Sequence, residues 1–302
     1  MTRDSAGRRV GVWLHPTRPE AADAAAEFAT GCHDYGVTCR FAPQRLAEMR
    51  DRVPGVPVEA LGDPAPGAVE LLVVFGGDGS ILSAAEWALP AAVPLLGVNL
   101  GHVGFLAELE SSEMPVLVRQ VAAGDYRVER RLTLRVDVAD ATGAPLWSSF
   151  AVNELSIEKT AREMMVDLMV AVDGRPLSHW ACDGLLVATP SGSTAYALSA
   201  GGPVVWPDVE AIEMVPLLAH ALFARPLVLS PASRIEVELT SDPSILSVVW
   251  CDGRRSVDMS RGCVATITRN GDDLRLARLS EQPFTTRLVK KFQLPVNGFR
   301  TH

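Results

Sequence analysis

The sequence predicts an α/β N-terminal domain with a small doubly wound parallel sheet, followed by an antiparallel β-sandwich-like C-terminal domain. Three observations lead to this fold class. The N-terminal part alternates apolar, strand-length runs with helix-length runs, which is the order of β-α-β units. From about residue 126 the hydrophobic period changes from helical to two, as is typical of half-buried strands. With 302 residues, the chain is long enough for two domains.

The first domain is predicted over residues 1–125. It begins with a strand at 9–14, an alanine-rich helix at 20–35 and a second strand at 37–41, an order that implies parallel pairing through a right-handed crossover. Residues 43–67 are rich in proline and glycine, and we interpret them as a long loop around a short helix at 46–52. A strand then ends at Phe75, and the next helix is predicted to be capped by Ser80 and ended by Pro90. A strand at 95–99 and a helix at 111–122 complete the domain.

The second domain, residues 126–277, consists of alternating strands. Apolar side chains occupy every second position at 132–138, 166–172 and 235–239. The pairs Asp173-Gly174, Asp252-Gly253 and Asn270-Gly271 are turn signals, and the first directly follows an alternating run, as in a hairpin. The C-terminal segment, 278–302, contains an amphipathic piece at 284–292 that we expect to pack back on the first domain.

The composition argues against two classes of partner. The formal net charge is -8 and no basic run offsets it, which disfavours non-specific binding to nucleic acid or to an anionic membrane. The most apolar long window, 214–229, contains His220, Arg225 and two prolines, so it is not typical of a membrane span. No apolar signal-peptide core follows the N-terminal arginines. We therefore expect a cytoplasmic enzyme.

The sequence also disfavours disulfides, metal sites built from cysteine or histidine, and a P-loop. Five cysteines, an odd number without a C-x-x-C pair, favour reduced, buried thiols over disulfides or zinc. The six histidines show no metal-ligand spacing and are interpreted as structural. No G-x-x-x-x-G-K-[ST] pattern occurs, which excludes a P-loop kinase.

The stretch Gly76-Gly77-Asp78-Gly79 lies between a buried strand and a predicted helix. Glycine lets the backbone approach a ligand closely, and the free N–H groups at the start of a helix attract anions. The stretch therefore predicts a phosphate-binding turn that also holds a carboxylate. Taken alone, a glycine turn after a buried strand is more often only a turn, so this motif leaves both interpretations open.

Further polar clusters occur in strand-like surroundings. Asn153-Glu154 interrupts an apolar run, where buried polar groups need partners, although an exposed edge position would explain the pair equally well. Asp252-Gly253 is, in isolation, most simply a hairpin turn.

Another cluster follows the strand-like run that starts at Cys182. This run leads into a turn that contains Ser191, Ser193 and Thr194, and then into a helical stretch. Their hydroxyl groups suit phosphate or ribose oxygens, and a helix cap with spare hydroxyls is an equally good interpretation without further context.

Taken together, these clusters resemble the NAD kinase family, and the resemblance spans residues 9–292. It rests on these motifs in this order: Gly76-Gly77-Asp78-Gly79-Ser80, Leu100-Gly101-His102-Val103-Gly104-Phe105-Leu106, Asn153-Glu154, the run 183–196, Gly201-Gly202-Pro203 and Asp252-Gly253. Cys182 and Trp206-Pro207 are similar to the actinobacterial branch of the family.

The resemblance implies transfer of the γ-phosphoryl group of ATP to the 2'-hydroxyl of the adenosine ribose of NAD, which gives NADP. Polyphosphate is a further candidate donor. The resemblance also implies a homo-oligomer, often a tetramer, with the active site between the domains and completed at Asp183 by a neighbouring subunit.

The resemblance also implies roles for individual residues. A sugar hydroxyl is a poor nucleophile, so a nearby carboxylate, here Asp78, would orient it and accept its proton as the catalytic residue. The implied substrate-binding positions are Gly77, Asp78, Gly79, Phe105, Asn153, Glu154, Asp183, Ser191, Thr194, Ala195, Tyr196, Ser199 and Asp252. A divalent metal, Mg2+ carried with ATP, would balance the charges, and its protein ligands are not assigned.

Two positions depart from the family pattern. His102 stands where arginine is common, so no role is carried onto it, and Ser191 stands where threonine is common but keeps the hydroxyl.

Two rival functions stay open: a kinase that uses a Gly-Gly-Asp-Gly turn on a lipid or sugar phosphate, and a catalytically silent NAD-binding regulator. The donor range, the acceptance of NADH and regulation by NADP(H) are left open by the sequence.

Overall fold

The computed structural model describes residues 7–100, 104–107, 109–110, 113–162, 164–280 and 283–295. The chain divides into two compact units. The first comprises Met1–Arg130 together with Leu274–His302, and the second comprises Arg131–Asp273. The second unit is therefore an insertion in the sequence of the first.

The first unit contains an eight-stranded sheet whose central pairings are parallel. The strand order is β3-β2-β1-β4-β5-β20-β7, and β6 pairs separately with β5. The bounds are β1 Arg9–Leu14, β2 Thr38–Phe41, β3 Val58–Ala60, β4 Leu71–Phe75, β5 Leu95–Asn99, β6 Leu109–Glu110, β7 Arg127–Arg131 and β20 Leu274–Arg278. The parallel β-α-β arrangement is the one predicted.

Helices cover both faces of this sheet. The helices of this unit are α1 Pro19–Asp34, α2 Pro43–Arg52, α3 Asp78–Ala91, α4 Met114–Ala123 and α6 Phe284–Phe292. Leu71, Val73 and Phe75 of β4 share one core with α1 and α4. Successive side chains of a strand point to opposite faces, and Leu72 and Val74 are equally buried on the other face, where α3 packs. The sheet is doubly wound, as the sequence predicted.

Three local predictions in this unit were wrong. Residues 43–67 are not one long loop: the short helix predicted at 46–52 is present but begins earlier, at Pro43, because proline is pre-organised for the first helical position, and β3 follows it. Ser80 is not the cap of α3, since the helix already begins at Asp78 behind Gly77 and Ser80 is buried in its first turn. Pro90 does not end α3, which continues to Ala91. The first two residues of the helix predicted at 111–122 lie outside the described residues.

The second unit is a sandwich of two antiparallel six-stranded sheets. One has the order β15-β14-β13-β10-β17-β18, and the other β12-β11-β16-β19-β8-β9. The bounds are β8 Leu134–Ala139, β9 Pro145–Ala151, β10 Glu154–Lys159, β11 Val166–Val172, β12 Arg175–Cys182, β13 Gly184–Ala188, β14 Ile212–Leu217, β15 Leu227–Leu229, β16 Ile235–Leu239, β17 Ser247–Cys251, β18 Arg255–Met259 and β19 Val264–Arg269.

The core of this unit lies between its two sheets. Alternate residues of both sheets, among them Leu155, Val187, Leu168 and Val237, form one buried cluster. Asp173 and Gly174 join β11 to β12 with φ angles of 52° and 73°, the positive values of the predicted two-residue hairpin. All five cysteines of the chain are buried free thiols, as the sequence indicated.

The outer face of the β10 sheet is only partly covered. The short helix α5, Tyr196–Ser199, packs there through Ala197 against Leu186, Ala188 and Val215. Beside α5, the outer positions of β10 carry polar side chains. In the described part of the chain, every helix is too short or too polar to cross a bilayer.

Candidate active site

Asp78 lies at the carboxyl end of β4, as the first residue of α3. Its two carboxylate oxygens accept different backbone N–H groups: Phe105 donates to Oδ2 at 3.0 Å and Leu106 to Oδ1 at 3.1 Å. Two separate donors fix the plane of the carboxylate. It stands at the edge of the sheet where open α/β sheets bind ligands.

The glycines around Asp78 differ in whether packing requires a residue without a side chain. A Cβ atom at Gly77 or Gly79 would meet no atom of the described residues within 4 Å, so packing among these residues does not require glycine at either position. A Cβ atom at Gly104 would collide with Asp78 Oδ1. Glycine at 104 is therefore needed for the close approach of the 104–107 loop to the carboxylate.

Asp252 fixes the backbone that leads into β10. Its buried carboxylate accepts the N–H groups of Val152 at 3.0 Å and Asn153 at 2.7 Å, and Arg255 donates to Oδ2 at 2.7 Å. Burial raises the pKa of Asp252, although these donors act in the opposite direction. Asp252 is also the first residue of the turn between β17 and β18, where its φ is 54°. Its backbone therefore forms part of the hairpin turn, and its carboxylate forms the buried contact.

Glu154 is the first residue of β10 and faces the outer side of the sheet. Its Oε2 atom is buried and has no hydrogen-bond partner among the described residues. Burial, and secondly the charge of Asp252, raise the pKa of Glu154 to about 8. Near neutral pH the carboxyl group is therefore mostly protonated, and it can both donate and accept a hydrogen bond.

The turn after β13 is held against Asn153. Thr189 donates its N–H to the Asn153 carbonyl at 2.8 Å and its hydroxyl to the Val152 carbonyl at 2.6 Å. A Cβ atom at Gly192 would collide with the Asn153 carbonyl oxygen, so this approach requires glycine. Asn153 is thus fixed through its backbone from both sides.

The hydroxyl groups of this turn do not all face outward. Ser193 is fully buried, donates to the Pro190 carbonyl at 2.8 Å and accepts the Val205 N–H at 2.9 Å, so the interpretation of its hydroxyl as a ligand for phosphate or ribose was wrong. Thr194 donates to the Ser191 carbonyl at 3.3 Å, and Ser191, Thr194 and Ala195 are half-buried. The expected helical stretch is a 3-10 turn, Gly192–Thr194, followed by the single turn of α5.

Two adjoining cavities lie on the outer face of the β10 sheet. The first, of about 290 Å³, is lined by Glu154, Ser156, Glu158, Tyr196, Trp250 and Gly253. The second, of about 470 Å³, shares Glu158 and Tyr196 with the first and is lined further by Lys159, Asp183, Ser199, Ala200, Pro216, Leu217 and Leu218.

These cavities are lined by acids. Burial raises the pKa of Tyr196, and the negative charges of Glu158, Glu154 and Asp183 raise it further. Among the described lining residues the one cation is Lys159, which forms an ion pair with Asp183. Such a surface suits hydroxyl donors and disfavours a bare phosphate.

The structure brings some of the predicted site residues together. Glu154 and Tyr196 line the first cavity, and Asp183, Tyr196 and Ser199 line the second. Behind this surface lie Asp252, Asn153 and the 191–195 turn. Gly77, Asp78, Gly79 and Phe105 belong to the first unit.

Four polar or aromatic residues that line the cavities were missed from the sequence: Ser156, Glu158, Lys159 and Trp250. The period of two places Ser156 and Glu158 on the same strand face as Glu154, and this signal was available. Trp250 pairs with Ser156 from β17, a contact between residues 94 positions apart that local sequence patterns do not show.

No three His, Cys, Asp or Glu side chains of the described residues are grouped so that they could hold a metal ion. Magnesium at a nucleotide is usually bound by one or two carboxylates together with phosphate oxygens and water, and this does not need such a group.

Two family models match the chain. The ATP-NAD kinase N-terminal domain matches residues 36–126, and the ATP-NAD kinase C-terminal domain matches residues 152–279.

Relatives and solved structures agree with these models. NAD kinase of Cutibacterium acnes is 55% identical over 98% of this chain and 93% of its own length, and NAD kinase 2 of Streptomyces coelicolor is 45% identical over 97% of each chain. Yeast NADH kinase complexed with NADH has a similar fold, with a TM-score of 0.85, 24% identity and coverage of 98% of this chain and 90% of that one. NAD kinase from Archaeoglobus fulgidus in complex with ATP has a TM-score of 0.70, 24% identity and coverage of 94% and 98%. This chain belongs to the NAD kinase family.

Proposed function

We propose that the chain transfers the γ-phosphoryl group of ATP to the 2'-hydroxyl of the adenosine ribose of NAD, which gives NADP. The observation that carries this proposal is the acid-lined cavity of the second unit, where Glu154 Oε2 is buried and, among the described residues, unpaired. The relatives that cover nearly the whole chain are named NAD kinases. Polyphosphate is proposed as an alternative donor to be tested.

In this reaction Asp78 is the general base. Phe105 and Leu106 hold its carboxylate plane, and the space at Gly77 and Gly79, which is open among the described residues, leaves room for phosphate oxygens against the backbone. A carboxylate in this position orients the 2'-hydroxyl and accepts its proton as the phosphoryl group is transferred. Mg2+ arrives with ATP, and it balances the phosphate charge when bound.

The second unit supplies the contacts to the dinucleotide. Glu154 pairs with a sugar hydroxyl, and Tyr196, Ser199 and Asp183 bind from the adjoining cavity. Ser191, Thr194 and Ala195 bind from the turn that follows β13. Asp252 holds this surface together through its carboxylate, which accepts the backbone N–H of Asn153.

We also propose a homo-oligomer, with a tetramer as the expected size. The segment between β14 and β15 exposes the large apolar side chains of Leu218, Leu222 and Phe223. Leu218 lines the same cavity as Asp183, so a second copy that covers these side chains would reach this cavity.

A cytoplasmic location stays a prediction, as do the domain boundaries at 125/126 and 277/278.

The test is one incubation with NAD, ATP and Mg2+, in which an NADP-specific dehydrogenase detects the product. NADP formation is expected, and its absence in a folded sample refutes the proposal. Replacing ATP with polyphosphate, and NAD with NADH, defines the donor and acceptor ranges. A lipid or sugar phosphate kinase would give no NADP, and a silent NAD-binding regulator would bind NAD in calorimetry without turnover.

The general-base role is tested with Asp78→Asn. General-base assistance is worth about 10² to 10⁴ in rate, so kcat should fall by roughly this factor. NAD binding should survive, because an amide still hydrogen-bonds a hydroxyl. A fall in kcat of less than about threefold, or loss of NAD binding in calorimetry, would contradict the role.

A further inference from the structure

The carboxylate of Asp78 is held by a loop that is itself held from its other side. The loop, residues 104–107, donates the N–H groups of Phe105 and Leu106 to Asp78. Two arginines donate to the carbonyl groups of the same two residues: Arg287 to Phe105 and Arg278 to Leu106, both at 3.0 Å. The loop therefore connects Asp78 to two cations.

One of these connections passes through a single peptide group. The carbonyl of Phe105 and the N–H of Leu106 are the two ends of the same planar peptide. Arg287 donates to its oxygen, and its N–H donates to Asp78 Oδ1. A cation on the oxygen polarises the peptide and strengthens the hydrogen bond that its N–H makes, because hydrogen bonds in a chain reinforce one another.

Both arginines are buried, which strengthens their electrostatic interactions with the loop carbonyl groups. Arg287 is 7% exposed and Arg278 is 2% exposed, so solvent screens the interactions of both guanidinium groups only weakly. Arg278 also donates to Glu129 at 3.0 Å, and its carbonyl partner belongs to the peptide after the one that Arg287 contacts. Of the two arginines, Arg287 is the one joined to the carboxylate through one peptide group.

The ring of Phe105 offers a separate, purely structural attachment for the same helix. It packs between Phe284 and Phe292 of α6, with ring centroids 5.7 Å and 5.8 Å apart. These contacts hold the loop whether or not residue 287 is charged. An effect of Arg287 on Asp78 can therefore be separated from simple docking of α6.

We propose that Arg287 is a positioning residue for phosphoryl transfer, which acts on Asp78 through the Phe105–Leu106 peptide and touches neither substrate. The inference rests on the proposed function, in which Asp78 is the general base. It assigns a role in the reaction to a residue near the C-terminus, 209 positions after Asp78 in the sequence.

The test is a double-mutant cycle measured as NADP formation. Arg287→Met keeps an unbranched side chain without charge or donors, and we expect kcat to fall roughly 10- to 100-fold while the KM for NAD changes less than about twofold. Arg287→Lys, which keeps a cationic donor, should recover part of kcat. In the Asp78→Asn background, Arg287→Met should lower kcat less than about twofold, because the group on which it acts is gone.

The matched control is Arg275→Met. Arg275 also donates to a backbone carbonyl of the first unit, that of Ala92 at 2.8 Å, but it is exposed and, among the described residues, makes no hydrogen bond to the 104–107 loop. Its loss should leave kcat unchanged. Thermal unfolding of every variant shows whether a loss of activity reflects unfolding, and if Arg287→Met does not fold, Arg287→Lys is compared in the two backgrounds instead.

Specific results overturn the inference. Equal falls in kcat in both backgrounds would show a structural effect, and unchanged kcat with a raised KM for NAD would show a binding role. An Arg287→Met enzyme as active as the unmutated one would refute it directly while the proposed function stands. If the unmutated enzyme makes no NADP, the proposed function fails, and the catalytic role of Arg287 fails with it.

Discussion

Glu213 is a carboxyl group that the fold buries without a hydrogen-bond partner among the described residues. It lies on the outer face of β14, is 1% exposed, and neither carboxyl oxygen has a donor in the described part of the chain. Gly202 covers it so closely that a Cβ atom there would collide with Oε1. The neighbouring residues across the sheet, Ala188 and Val228, carry no charge. Glu213→Gln keeps the shape of the side chain and removes its titration.

The size of the effect follows from the pKa. Burial alone raises the pKa of Glu213 from 4.5 to about 7. Each pKa unit corresponds to about 1.4 kcal/mol, so ionisation in the folded state costs about 3 kcal/mol of unfolding free energy. Because the folded pKa is raised, the stability that the neutral group provides is complete below pH 4.5 and is lost as the pH rises toward 7. Above about pH 7 the loss no longer grows.

The assay is urea unfolding at 25 °C between pH 4.5 and pH 8.5, followed by tryptophan fluorescence. The variant Glu213→Gln should become more stable relative to the unmutated protein as the pH rises. The difference in unfolding free energy should increase by up to about 3 kcal/mol across this range and level off above pH 7. Glu238→Gln, which removes the same charge at an exposed position of β16, should keep the pH dependence of the unmutated protein. A difference for Glu213→Gln that stays constant with pH would refute the reasoning.

Three further predictions concern the proposed site. Gly192→Ala should lower the unfolding free energy by about 1 to 3 kcal/mol in urea unfolding, because the added Cβ collides with the Asn153 carbonyl. The control Gly271→Ala should be near neutral, because a Cβ at this position meets no atom of the described residues within 4 Å. Equal effects of the two substitutions would contradict this reasoning. Glu154→Ala should reduce kcat/KM for NAD roughly tenfold to 150-fold in steady-state kinetics, and unchanged kinetics in a folded variant would remove Glu154 from the site. If a neighbouring subunit completes the site at Asp183, dilution to monomer, followed by light scattering, should abolish activity, and a fully active monomer would exclude this.

The sequence predicted the elements of both units well where the hydrophobic period was long and regular. The alternation at 166–172 and the Asp173-Gly174 pair identify a hairpin because strand period and turn chemistry are both local properties. The same holds for the β4 strand before Asp78. Helix ends were less predictable: Ser80 has the chemistry of a cap, but Gly77 takes that position because the chain enters the helix three residues earlier.

The internal supports of the site could not be predicted, because they join residues far apart in sequence. Asp252 has the sequence context of a hairpin turn, and only the folded chain shows its carboxylate on the N–H groups of Val152 and Asn153, about 100 residues earlier. The hydroxyl of Ser193 has the same chemistry as that of Thr194, yet one is buried and the other is half-buried. Side-chain type predicts what a group is able to bind, and packing decides whether it is available.

The position of β20 has a consequence for how the protein is made. This strand lies between β5 and β7 in the sheet of the first unit, but the ribosome produces it only after the whole second unit, Arg131–Asp273, has been synthesised. The second unit is one contiguous stretch of chain, so it can complete its two sheets as soon as it emerges. The N-terminal strands must wait with the edge of β5 unpaired at this position, and an exposed strand edge is a site of aggregation. A chain released before Leu274 would therefore contain all the strands of the sandwich and an unfinished parallel sheet.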